Sequence, residues 1–184
     1  MSAKDLIVQQ ASAPGGRLIL LFHGVGSRPE DLVPLGRRLA EADPGAWVVS
    51  VCSPEPSDLG SGWQWFSVRG VTEDSRPARI ATAMPSFVRC VRDWQAKAGV
   101  DAAGTTLIGF SQGSIMALES TQLPETLAAR VISLAGRFAA PPRVAPAGTQ
   151  VHLLHGEQDQ VIDPRYSLLA AEALRALGAT VSVE

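Results

Sequence analysis

Residues 105–120 read TTLIGFSQGSIMALES. Thr105–Phe110 is a short apolar run of strand length, and Ser111–Thr121 has the composition of a helix. At their junction Gly109-Phe110-Ser111-Gln112-Gly113 fits the pattern G-x-S-x-G. That spacing places a serine on a tight strand-to-helix turn, in a strained backbone conformation, with its oxygen projected outward. A side chain two residues before or after the serine would collide with the turn, so glycine stands on both sides. The following helix directs its amino-terminal N–H groups and dipole at charge developing beside the serine. The alternative is a purely structural glycine-flanked turn.

Working outward, buried strands alternate with helices. Leu18–His23 is an apolar run stopped by Gly24. Pro29–Ala42 is a helix with Leu32, Leu35 and Leu39 on one face. Ala46–Cys52 is a second buried strand. Ser53–Arg79 is irregular and carries Trp63, Trp65 and Phe66; an irregular stretch of this length usually serves a site. A helix then runs to about Ala98, burying Phe87, Val91 and Trp94, with Pro85 near its start or kinking it. Val131–Ala135 and Gln150–Leu154 are strands, Pro164–Leu177 is a helix closed by Gly178, and Thr180–Val183 begins another strand. This order predicts one α/β domain over residues 1–184, with a mostly parallel sheet covered by helices on both faces. In such sheets the chemistry gathers at the carboxyl ends of the strands.

Composition narrows the function. The chain has 184 residues and a formal net charge of −2, with 46% apolar and 18% charged residues. That balance carries no electrostatic footprint for nucleic acid. No apolar run approaches the length of a membrane span or a signal peptide. Cys52 and Cys90 cannot build a disulfide framework and read as small buried hydrophobes of a reduced, cytoplasmic protein. No metal or cofactor is implied, because no His, Cys or Asp cluster has ligand spacing.

Two further stretches sit at predicted strand ends. Phe22-His23-Gly24-Val25-Gly26 follows the first central strand. In hydrolases built around a G-x-S-x-G turn, the oxyanion hole takes one N–H from the residue after the nucleophile and one from an early strand-to-helix loop. Gln112 supplies the first. Val25 is the choice for the second, because its flanking glycines let the backbone turn. No lysine follows in phosphate-loop spacing, which excludes that alternative. His23 reads as a structural residue holding this loop. The other stretch, His155-Gly156-Glu157-Gln158-Asp159-Gln160-Val161-Ile162-Asp163-Pro164, offers three acids where the chain order of this fold places the triad acid. Asp163 before Pro164 reads as a helix cap and Glu157 as a solvated loop charge, which leaves Asp159.

Together LFHGVGS, GFSQGS and LLHGEQDQVIDP, in this order and spacing, resemble the phospholipase/carboxylesterase family of small α/β-hydrolases. The stretch GWQWFSVRGVTEDSRPARI is similar to the small bacterial carboxylesterase branch. The resemblance runs from Leu18 to Glu184. It implies a cofactor-free serine hydrolase acting on small carboxylic esters through an acyl-enzyme, with thioesters and lysophospholipids as alternative substrates. It implies Ser111 as nucleophile, Asp159 as acid, Val25 and Gln112 as oxyanion donors, and Trp63, Trp65 and Phe66 as the wall of the acyl site. A catalytically inactive binding protein of this fold is the alternative outside enzymes.

In that family the catalytic histidine follows the strand after the last helix. Here His23, His152 and His155 all precede Asp159, and the latter two read as structural. The expectation is therefore a base beyond residue 184, an incomplete C-terminal strand and helix, and a gap the width of an imidazole between Asp159 and Ser111. An uncovered last strand would also invite pairing with a second copy as a homodimer.

Overall fold

The structure, a computed structural model, describes residues 4–12 and 16–184. Seven strands make one sheet: β1 (Leu6–Gln9), β2 (Leu18–Phe22), β3 (Trp47–Val51), β6 (Thr105–Phe110), β7 (Arg130–Leu134), β8 (Gln150–Leu154) and β9 (Val181–Val183). Their order is β1-β3-β2-β6-β7-β8-β9. All neighbours are parallel except β1, which runs antiparallel to β3. Two short strands, β4 (Glu55–Pro56) and β5 (Trp63–Gln64), pair separately as a hairpin. Four helices complete the fold: α1 (Val33–Ala42), α2 (Arg76–Ala98), α3 (Gln112–Ser120) and α4 (Arg165–Ala176).

Every residue of β2 and β3 is buried, which is why β2 is a continuous apolar run and β3 is apolar but for Ser50, whose hydroxyl donates to the Pro29 carbonyl (2.7 Å). Their side chains still divide by face. Leu18, Leu20 and Phe22 join Val49, Leu107, Val131 and Val151 in a core closed by α2, α3 and α4. Ile19, Leu21, Val48 and Ile108 point the other way and pack with Leu35 and Leu39 of α1. Helices therefore cover both faces, three against one.

The structure departs from the sequence reading at several points. Pro29–Leu32 forms a 3-10 turn, and the α-helix begins only at Val33. β1 was not expected; Asp5 beside it accepts from the Cys52 N–H (2.8 Å) and the Trp94 indole (2.6 Å). The irregular stretch holds the β4–β5 hairpin, and α2 starts at Arg76. α2 passes through Pro85 without ending, since Pro85 lies on its exposed side. β7 closes one residue early, because Ala135 turns to φ 51°.

Candidate active site

Ser111 stands between β6 and α3 with φ 51° and ψ −113°, a backbone region that L-residues avoid. Such a residue costs on the order of 1–3 kcal/mol and persists only where its surroundings over-determine it. Here they do. The Ser111 N–H donates to the Leu134 carbonyl (2.9 Å), and its own carbonyl accepts from the Ile115 N–H (3.0 Å). A β-carbon on Gly109 would collide with the backbone of Ser114, and one on Gly113 with the Phe22 carbonyl. The glycines of the motif are thus forced by close approach of backbone to backbone. Gln112 opens α3, whose first-turn N–H groups have no partner within the helix.

The loop after β2 lies against this turn. β2 and β6 are neighbours in register, with Phe22 opposite Gly109. A β-carbon on Gly24 would stand 3.2 Å from the Ser111 β-carbon. The Ser27 N–H donates to the Gly24 carbonyl (3.3 Å), closing a turn around Val25 and Gly26. Gly26 has φ 78°, the value that favours glycine at the third position of such a turn. Among the described residues the N–H groups of Val25 and Gln112 are engaged by no hydrogen bond. His23 fixes the start of the loop. Its Nδ1–H donates to the Gly24 carbonyl (2.8 Å), and its Nε2 accepts from the Ser53 N–H (3.2 Å). Burial pushes its pKa down, so the ring is held neutral in this bonding pattern.

The aromatic segment is tied to both sides of the site. The Gln112 Oε1 accepts from the Trp65 N–H (2.7 Å), and its Nε2 donates to the Phe66 carbonyl (2.8 Å). Trp63 accepts from the Gly26 N–H (3.0 Å) and donates to the Ser27 carbonyl (2.9 Å). Arg28 reaches Ser61, donating to its carbonyl and to its Oγ at 2.9 Å each. Trp63 is half-buried. Trp65 and Phe66 are 3% and 4% exposed, and the Trp65 ring packs on Phe22 and Phe87 at 6.1 and 5.1 Å. Those two side chains spend most of their surface on the core. What they leave open borders a cavity of about 440 Å³ between Pro54 and Ser86, whose walls do not include Ser111.

Asp159 lies in the loop after β8, at the same carboxyl edge. β8 is two strands from β6, a separation of about 10 Å at the usual strand spacing. Its Oδ1 accepts from the Val161 and Ile162 N–H groups (2.8 and 3.1 Å). Those bonds hold its carboxyl below the ordinary carboxylate range, with His155 adding a smaller effect. Of the rival acids, Glu157 is exposed, and Asp163 accepts from the Arg165 N–H (2.9 Å) where α4 begins. The His155 Nε2–H donates to the Ile162 carbonyl (2.8 Å), 3.4 Å from the Asp159 Oδ2, while its Nδ1 accepts from Ser167 (2.7 Å). The His152 Nδ1 meets the Ser182 Oγ on the neighbouring strand at 2.8 Å. All three histidines have structural partners.

A cluster the sequence did not reveal braces this edge. Arg137, three residues past Leu134, is buried; its guanidinium donates to both oxygens of Glu73 and stacks on the Tyr166 ring at 3.8 Å. Glu73 also accepts from Arg76, and these hydrogen bonds, the Arg137 pair foremost, pull its pKa down. The loop before α2, the loop after β7 and the start of α4 are thereby joined. Arg137 and Glu73 are 64 residues apart and carry no motif. Cys52 and Cys90 are half-buried rather than buried, with thiols pushed up by burial, Cys52 to about 11. Among the described residues no three His, Cys, Asp or Glu side chains gather as metal ligands, and no helix is long and apolar enough to cross a membrane.

Comparison with known proteins points one way. The sequence model of a family described as Phospholipase/Carboxylesterase matches residues 3–184. Esterase YpfH of Escherichia coli strain K12 is 46% identical over 184 residues, which is the whole of this chain and 79% of that protein. The crystal structure of esterase PE8 superposes with a TM-score of 0.86 at 29% identity, covering all of this chain and 87% of that one. The Bacillus cereus carboxylesterase shares the fold, with a TM-score of 0.81 at 19% identity over 98% of this chain and 83% of that one.

Proposed function

We propose, from the premise that this chain belongs to the phospholipase/carboxylesterase family, that it is a serine hydrolase cleaving small carboxylic esters. One observation carries the reading. A serine in strained conformation heads a helix, and a glycine-flanked loop with an uncommitted N–H lies against it. Backbone strain of this kind clusters at functional sites, and of the two non-glycine residues at φ 51° among the described residues, Ser111 and Ala135, only Ser111 carries a nucleophilic oxygen.

Ser111 Oγ attacks the ester carbonyl carbon, and its proton passes to a general base. The carbonyl oxygen becomes an oxyanion held by the N–H groups of Val25 and Gln112. The base then protonates the departing alcohol, leaving an acyl group on Ser111. Water, deprotonated by the same base, attacks this acyl-enzyme; the bond from the acyl carbon to Ser111 Oγ breaks, the base returns its proton to Oγ, and the acid leaves. Asp159 orients the base, its Oδ1 already fixed by two backbone N–H groups. His23, His152 and His155 hold other partners, so none of the three is assigned as the base. Trp63 flanks the mouth of the site through its contact with the Gly26–Ser27 loop. A cytoplasmic setting fits the two unpaired cysteines.

The test is hydrolysis of p-nitrophenyl acetate, butyrate and octanoate, and of the matching acyl thioesters, by the natural full-length gene product. Turnover abolished by Ser111→Ala supports the reading; turnover unchanged in that variant overturns it.

A further inference from the structure

We infer that the side chain of Gln112 is a positioning group which locks the two halves of the oxyanion hole together. The inference rests on the reading of Ser111 as nucleophile, and it concerns the side chain of Gln112 rather than its backbone N–H. The two donors, Val25 and Gln112, come from loops 87 residues apart. The adjacency of β2 and β6 brings them close but leaves each loop free beyond the last strand residue. The segment 61–66 closes the ring. At one end the Gln112 amide grips it twice, at Trp65 N–H and Phe66 C=O. At the other end Trp63 pairs with Gly26 and Ser27, and Ser61 with Arg28. Val25 sits inside the loop so held.

Chemistry selects glutamine here. The grip needs one acceptor and one donor on the same planar group, facing an N–H and a C=O of consecutive residues. Gln112 is 3% exposed, so neither bond can be replaced by solvent. A leucine would fill the space and leave both backbone groups unpaired. A glutamate would keep the bond to Trp65 N–H, but its second oxygen would face the Phe66 carbonyl unless protonated.

The experiment compares wild type, Gln112→Leu and Gln112→Glu in the natural full-length gene product. Oxyanion stabilisation acts on the transition state, so kcat for p-nitrophenyl butyrate should fall about 100-fold in Gln112→Leu, with KM within about threefold of wild type. In Gln112→Glu, kcat relative to wild type should be low at pH 8 and recover towards pH 5, as the new carboxyl becomes protonated and donates to Phe66. Amide exchange at Gly26 and Trp63 should quicken in Gln112→Leu while β6 stays protected. Wild-type kcat in Gln112→Leu, a loss confined to KM, or unchanged exchange at Gly26 and Trp63 would each overturn the clamp. The exchange measurement is independent of turnover. If the wild-type protein hydrolyses no ester, the esterase reading falls, and exchange alone still decides the clamp.

Discussion

Gly62 lies against Gly26 with no room between them for a side chain. A β-carbon on Gly62 would fall inside contact distance of the carbonyl oxygens of Gly26 and Ser27. The hairpin therefore touches the oxyanion loop backbone to backbone. Gly62→Ala should push the loop away from Ser111, destabilising the protein by about 1–3 kcal/mol as overpacking does. Turnover should fall by more than stability alone explains. Urea unfolding alongside kcat for a p-nitrophenyl ester checks both halves.

Ser111 offers a trade between stability and activity. Glycine tolerates φ 51°, so Ser111→Gly should relieve strain and raise unfolding free energy by about 1 kcal/mol. The same variant removes the nucleophile, and kcat should drop on the order of 10⁴ to 10⁶, as in other triads. A less stable Ser111→Gly protein would show that the strain relieved is smaller than the unfolded-chain entropy that glycine adds.

Asp159→Asn should separate orientation from folding. An asparagine oxygen can still accept from the Val161 and Ile162 N–H groups, so the loop should keep its shape. The charge that orients the base is lost, and kcat should fall about 10⁴-fold by analogy with other triads. Thermal unfolding near pH 7 should move little by comparison. In wild type the Asp159 pKa is lowered by folding. Its contribution is thus present above the unfolded carboxylate pKa and is lost as pH falls through the folded one. The variant should lack that part of the acid limb.

His23 gives a second pH dependence, at higher pH. Burial lowers its pKa from 6.5, so the unfolded chain takes up a proton first as pH falls. Stability should be at its full value above about pH 6.5 and decline below it, until the folded-state pKa is reached. Protonated Nε2 can no longer accept from the Ser53 N–H. His23→Gln should remove this limb; urea titrations from pH 5 to 8 on both proteins read it directly.

Trp65→Ala tests what the aromatic segment does. Trp65 is buried on Phe22 and Phe87, so the change should cost about 3–5 kcal/mol, as for other buried aromatics. A preference among acetate, butyrate and octanoate esters that stays fixed would assign the ring to the core. A shift in that preference would assign it to the acyl wall as well.

The strands, helices and serine turn of the central sheet were legible because their causes are local. Gly109 and Gly113 announce a close approach within five residues, and Leu18–Phe22 is apolar because both of its faces are covered. What stayed hidden has partners far along the chain. β1 is four residues at an edge, half-exposed, and becomes a strand only by pairing with β3. The β4–β5 hairpin has two residues per strand, too few for any period to show. Gln112 reads as one more helix-starting polar residue until Trp65, 47 positions away, is placed beside it. Which of Trp63, Trp65 and Phe66 would be buried could not be read from their sequence either, because the Trp65 partners Phe22 and Phe87 lie far along the chain.

The central position of β2, between β3 and β6, also bears on how the protein acquires its activity in time. β2 and β6 meet across more than 80 residues of intervening chain, and closing such a loop is slow compared with forming any helix. Before that closure the serine turn and the Val25 loop belong to separate fragments, and no ester can be turned over. Recovery of esterase activity during refolding is thus a clock for one event, the docking of the amino-terminal strands onto the nucleophile strand. Far-ultraviolet dichroism, to which α2 contributes the most helical residues, should run ahead of it.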